Sequence, residues 1–155
     1  MITLVYTKLV RRASFLYTGN MPTVEINYWA VLVATTVSMA VGSIWYAKPV
    51  FGKLWMQLVG LTDDKAKQGA GKAMGGMLVG AFVQAYVLAH VVDYAQAATV
   101  IQGLQAGFWL WLGFIAAVSI AEVLFAHRPL KLWLITASYQ LVIMLANGAI
   151  LATWQ

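Results

Sequence analysis

Six residues in this sequence pair reactive chemistry with an apolar setting: Glu122, His90, Asp93, Gln84, Gln140 and Asn147. Burying a charge in lipid costs about 2.5–3.5 kcal/mol even on the gentlest scale, so an ionisable group inside a long apolar run needs a reason. Glu122 lies about one helical turn inside the end of such a run, with Ser119 one turn before it. That spacing fits a proton- or cation-binding carboxylate; it equally fits an interfacial carboxylate paired with Arg128, Lys48 or Lys53, and the shallow depth favours the pair. His90 and Asp93 stand three residues apart, on one helical face. They are half of a metal site or proton relay, or a His–Asp pair reaching interfacial water. Gln84, Gln140 and Asn147 are amides in mid-run, and Gln140 and Asn147 share a face with Thr136. Hydrogen bonds between helices satisfy such a pattern without any transport role.

Familiar reaction chemistry has no purchase here. The chain has no cysteine, which removes disulfides, thiolate nucleophiles and Cys-based metal ligands. There is no Gly-rich phosphate loop, no His-Glu zinc pattern and no serine nucleophile elbow, so no cofactor is expected and no catalytic residue is assigned.

The elements that must carry these residues are set by composition. Hydrophobic residues make up 62% of the 155 and charged residues 10%. Soluble domains have roughly 45–50% and 25%, and so few charges cannot clothe a soluble core. Four apolar runs are long enough to cross a hydrocarbon layer of about 30 Å: residues 27–47, 73–92, 103–125 and 130–154. The expected fold is an all-α integral membrane protein, a four-helix transmembrane bundle. Trp29, Trp45, Trp133 and Trp154 fall near the ends of these runs, where aromatic belts form. Between the first two runs, residues 51–59 alternate apolar bulk with Lys53 and Gln57, as in a helix lying in the interface. Thr62-Asp63-Asp64 then offers an N-cap and acids in a first turn, and that helix continues through Lys65, Lys67 and Lys72 into the second run.

Residues 24–155 thus form one transmembrane domain. Residues 1–23 contain Lys8, Arg11 and Arg12 and have two readings: an extension upstream of a start at Met21, which is preferred, or a short interfacial helix. The connections at 93–102 and 126–129 are short, so consecutive helices are antiparallel neighbours. The loops at 48–72 and 126–131 carry seven Lys and Arg, which makes them cytoplasmic and both termini external. The net charge of +5 therefore fits an anionic inner leaflet better than nucleic acid.

Two patterns concern association. Ala30, Ala34, Ser38 and Gly42 recur every fourth residue, as do Gly76 and Gly80, then Ala81, Ala85 and Ala89, and Gly113, Ala117 and Ala121. Such stripes let helices approach closely, within a bundle or between protomers. Tyr46-Ala47-Lys48-Pro49 followed by Lys53-Leu54-Trp55 is echoed by Phe125-Ala126-His127-Arg128-Pro129 and Lys131-Leu132-Trp133. The echo fits a parallel repeat of two helices plus two, or the simple recurrence of aromatic, basic and Pro residues at basic helix ends.

Asn27-Tyr28-Trp29-Ala30-Val31, Trp45-Tyr46, Phe51-Gly52-Lys53, Trp55-Met56, Gly60-Leu61-Thr62, Tyr86-Val87-Leu88-Ala89-His90, Gly107-Phe108, Arg128-Pro129 and Gly148-Ala149-Ile150-Leu151-Ala152 together carry a resemblance. Over about residues 24–154 the chain resembles the bacterial membrane family known as domain of unknown function 1761. The resemblance implies a small multi-pass protein and supplies no activity. The family pattern tends to have a small or acidic residue where His127 stands. The leading functional expectation is a non-enzymatic protein acting by helix association, as a homo-oligomer or as an accessory subunit of a larger membrane complex. A small oligomeric transporter or channel using Glu122, Gln140 and Asn147 is the alternative; a lipid-acting enzyme using His90 and Asp93 ranks third.

Overall fold

The computed structural model describes residue 10 and residues 23–155, and the two readings of residues 1–23 fall almost wholly outside them. The described residues are helical, with no strand among them. Helix α1 spans Tyr28–Trp45. A π-helical turn, Lys48–Gly52, leads into α2, Lys53–Val59. Helix α3 is the longest, Asp63–Tyr94. Helix α4, Val100–Leu110, passes through a π-helical segment, Trp111–Ala116, into α5, Ala117–Leu124. Helix α6 spans Leu130–Thr153. Four stretches are long and apolar enough to cross a membrane: α1, α3, the continuous run Val100–Leu124, and α6.

Local chemistry explains the boundaries. Asn27 caps α1, its side chain accepting from the backbone N–H groups of Trp29 and Ala30 at 3.0 and 3.2 Å. Pro49 stands in the first turn of the π segment, where its missing N–H costs nothing. Gly60 closes α2 in the left-handed region, φ +70°, and Leu61 N–H returns to Met56 O. Thr62 holds the N-cap position of α3, but its side chain makes no capping bond; the first-turn acids Asp63 and Asp64 are in place as expected. Thr99 caps α4 by accepting from Gln102 N–H, while the Gln102 side chain accepts from Ala98 N–H.

Helix α6 is the hub. It packs against α1, α3 and, most extensively, α4, and it is the most buried of the four spans. The α4–α6 contact is backbone on backbone. A Cβ at Gly103 would overlap the Gly148 carbonyl, one at Gly107 the Met144 carbonyl, and one at Gly148 the Gly103 carbonyl. These glycines are what the interface needs, and Gly103 and Gly107 are four residues apart, the small-residue spacing of close helix pairs.

Two of the expected stripes face inward and two do not. Ala30, Ala34 and Ser38 are buried, and Gly42 abuts the Tyr139 ring. Ala85 and Ala89 are buried as well. A Cβ at Gly76, Gly80 or Gly113, by contrast, would meet nothing within 4 Å beyond its own helix backbone, and Ala117 and Ala121 are exposed. The third-span stripe lies outside the bundle because of the π segment. The buried face passes from Gly107 to Ala116, nine residues on, which is half a turn out of phase for a regular helix. The wider π turns absorb the difference and leave Phe114 and Gly113 outside.

The bundle is closed at one end and splayed at the other. Its main cluster includes Ala30, Val31, Ala34, Ala85, Leu88, Val92 and Leu151, toward the end opposite the lysine-rich loop, while Leu132, Ile135, Ala137 and Tyr139 of α6 are buried nearer that loop. Toward the lysine end, residues 67–80 of α3 are exposed throughout, and α5 contacts α6 far less than α4 does. The echoed motifs also land in different elements: Lys53-Leu54-Trp55 opens the short α2, whereas Lys131-Leu132-Trp133 lies in the first turn of α6.

One substitution made at two sites tests this packing. Gly148→Ala should lower stability by about 1–3 kcal/mol through overpacking. Gly75→Ala, where nothing lies within 4 Å, should be neutral or stabilising by up to about 1 kcal/mol through helix propensity. Unfolding of the purified chain in detergent reads both; equal effects would count against the backbone contact.

Candidate functional site

The amides of the middle section are brought together in pairs that join helices. Gln84 of α3 donates from Nε2 to Gln140 Oε1 of α6 at 3.1 Å. Asn147 of α6, fully buried, donates from Nδ2 to Ser38 Oγ of α1 at 2.9 Å, and Ser38 Oγ donates on to Ala34 O. Asn147 Oδ1 meets no donor among the described residues. Thr136 bonds locally to Leu132 O and Trp133 O and takes no part in these pairs. Two indoles add further ties to α6: Trp45 Nε1 donates to Ile135 O and Trp111 Nε1 to Ala137 O. Sequence reasoning placed Trp45 at a helix end and assigned Trp111 no place; their role as donors to carbonyls of α6 was not visible, because it depends on which helices neighbour which.

His90 and Asp93 lie at the closed end. His90 Nδ1 sits 2.9 Å from Tyr86 O of its own helix, and the ring meets Tyr86 edge-on at 4.5 Å. The Asp93 carboxylate is buried beside a small cleft lined by Asn27, Trp154 and Gln155. Among the described residues, no three of His, Asp and Glu converge as metal ligands.

At the lysine end, five rings brace the splayed half: Phe51, Trp45, Tyr139, Tyr46 and Trp55, with successive centroids 4.9, 6.3, 5.2 and 5.4 Å apart. They link the end of α1, the π turn, α2 and α6. Lys48 Nζ contacts Asp63 Oδ1 at 2.9 Å, tying the α1 exit to the start of α3, whose charged first turns 63–72 lie outside the apolar run. The hydrogen bond and charge of Lys48 hold the exposed Asp63 carboxyl below the usual carboxylate range.

Two clefts open on either side of α6 here. One, of about 360 Å³, lies between α1, α3 and α6 and is lined by Met39, Gly42, Ser43, Tyr46, Met74, Met77 and Tyr139. The other, of about 290 Å³, lies between α2, α5 and α6. Trp55, Ser119, Glu122, Arg128, Trp133 and Thr136 line it, so Glu122 is at its wall. Glu122 meets Arg128, one of the three partners expected for it, but loosely: Nε to Oε2 is 3.9 Å, and both side chains are more than half exposed, at 54% and 65%. Ser119 turns to Trp133, accepting from its Nε1 at 2.9 Å.

Pairwise satisfaction of the amides predicts a measurable coupling. A double-mutant cycle of Ser38→Ala and Asn147→Ala, followed by unfolding in detergent, should give an interaction of about 0.6–1.7 kcal/mol. Additive losses would mean the bond contributes nothing.

Comparison with known proteins agrees with the resemblance carried by the aromatic and glycine motifs. No curated protein and no solved structure matches this sequence. A family described only as "Protein of unknown function (DUF1761)" matches residues 29–152, the whole four-helix region from the first turn of α1 to the last of α6, and the chain belongs to that family.

Proposed function

We propose that this chain is a multi-pass bacterial inner-membrane protein that acts by helix association, with copies of itself or as an accessory subunit of a membrane complex. The observation that carries this reading is the bare surface at the splayed end. Only 11% of the most apolar window of Val100–Leu124 is buried, and 22% of that of α3. Lipid covers apolar bulk readily, but Gly76, Gly80 and Gly113 present small-residue surface on which another helix can approach closely. An apolar exterior of this extent, with Tyr28, Trp29, Phe114 and Phe125 all exposed, favours a lipid setting over water.

The same geometry weighs against the transport alternative. Gln140 and Asn147, two of the three groups it needs, are engaged with Gln84 and Ser38. Glu122 lies at the edge of the bundle beside Arg128, away from both pairs. In the proposed orientation the loops at 48–72 and 126–131 face the cytoplasm and the anionic leaflet. The two helix pairs are read as a parallel repeat, each pair entering a helix through a proline after a basic residue, with α2 inserted in the first pair.

Particle mass after mild detergent extraction tests association. A homo-oligomer or a stable complex is expected, and a lone monomer would overturn the reading. Gly76→Leu with Gly80→Leu should shift the particle toward monomer while leaving the melting temperature of the bundle unchanged. Orientation is tested by Gln57→Cys in intact cells: the thiol should resist an impermeant label and react after permeabilisation, and labelling from outside would reverse the topology.

A further inference from the structure

We propose that the cleft between α2, α5 and α6 binds the phosphoethanolamine headgroup of a zwitterionic phospholipid, with Arg128 taking the phosphate and Glu122 the primary ammonium. The proposal rests on the membrane reading above.

The cleft offers one cation and one anion at a single mouth. A separation of 3.9 Å leaves neither charge saturated by the other, so each can turn to a ligand group of opposite sign. The guanidinium fork suits the phosphate diester, and the carboxylate suits an ammonium. The two are held together by the chain itself. Arg128 N–H donates to Glu122 O at 3.1 Å across the turn, and His127 at φ +51° makes that reversal. Both side chains are thereby held at the wall of the same cavity.

The walls select among headgroups. Trp133 is fixed by its bond to Ser119, and Trp55 by its edge-on contact with Tyr46 at 5.4 Å. Indoles at this depth suit the headgroup layer, and their faces attract a cation. The hydroxyl of Thr136 donates to Leu132 O or Trp133 O, which leaves its oxygen free to accept. Ser119 and Thr136 thus offer acceptors beside Glu122, which favours an ammonium that still carries N–H donors over a quaternary one. A lipid with a phosphate and no ammonium would meet Arg128 alike but leave Glu122 without a partner. Val59, Val123 and Leu132 complete the lining with apolar surface for the start of the acyl chains. A volume of about 290 Å³ fits a headgroup rather than a whole lipid.

The test uses the full chain extracted from membranes in mild detergent. Short-chain phosphatidylethanolamine, phosphatidylglycerol and phosphatidylcholine, and soluble phosphoethanolamine, are titrated by tryptophan fluorescence and by native mass spectrometry. Phosphatidylethanolamine should bind tightest. Glu122→Gln should weaken it roughly tenfold or more without weakening phosphatidylglycerol, and Arg128→Gln should weaken all three lipids. Both side chains are exposed, so unchanged melting temperatures are expected for the two variants. The ranking in the unaltered protein needs no variant at all. Equal binding of phosphatidylethanolamine and phosphatidylglycerol, or indifference to both substitutions, overturns the site. Phosphatidylcholine binding as well as phosphatidylethanolamine overturns the primary-ammonium assignment, and soluble phosphoethanolamine binding as well as the lipid overturns a lipid source. A chain that never partitions into membranes sinks the underlying membrane reading, whereas an extracted chain without this ranking sinks only the site.

Discussion

The bundle is arranged around α6, which must bring its polar groups to partners on the three helices packed about it. In an apolar surrounding an unpaired amide or carbonyl costs more than a hydrogen bond returns, so polar positions dictate neighbours. Gln140 takes α3 through Gln84, and Asn147 takes α1 through Ser38. The third span is held by Trp111 at Ala137 O and by the glycine contact of Gly103, Gly107 and Gly148. Each of the other spans is thus tied to α6 by chemistry that would be lost if the helices exchanged places. Dispersion along a closely approached backbone then adds to the attraction between the helices.

That constraint also explains why one end opens. The close backbone contacts of α6 and the main core cluster lie toward the end away from the lysine loop. Near the other end, bulky rings replace small residues: Trp45, Tyr46, Trp55 and Tyr139 hold helices apart at ring distance while keeping them connected. After the π segment, the third span no longer offers α6 a glycine face. Splaying is therefore a consequence of side-chain size, and the two clefts flanking α6 are its product.

The helices themselves could be read from the sequence, because apolar run length and Pro or Gly punctuation are local signals. The four spans, the short helix before Gly60 and the inward stripe Ala30-Ala34-Ser38 follow from such signals. What escaped reading needed knowledge of phase or of neighbours. Which way the stripe through Gly113, Ala117 and Ala121 would face depended on helical phase, and no residue between 111 and 116 announces the π turns. Gly103-x-x-x-Gly107 was present as a pattern, yet its weight comes from Gly148 on a helix some forty residues later. Likewise Glu122 was legible as an oddity with Arg128 among its partners, while the indoles of Trp55 and Trp133 beside it were not, since one arrives from α2 and the other from α6.

This division between local and assembled signals bears on where function resides. At the closed end the polar groups are engaged in caps, turns and local helix bonds, and the amide pairs of the middle section hold helices together, so chemistry there would compete with stability. At the splayed end Glu122 and Arg128 are related differently: their long contact and high exposure mean that neither is needed to keep the bundle folded. A charge pair on an otherwise apolar rim costs solvation wherever it meets lipid, and a stabilising role would favour a short, shielded contact. A loose pair between two braced indoles is instead an arrangement in which each charge remains available to a third party. The lysine end is therefore where recognition can act on this fold without unmaking it.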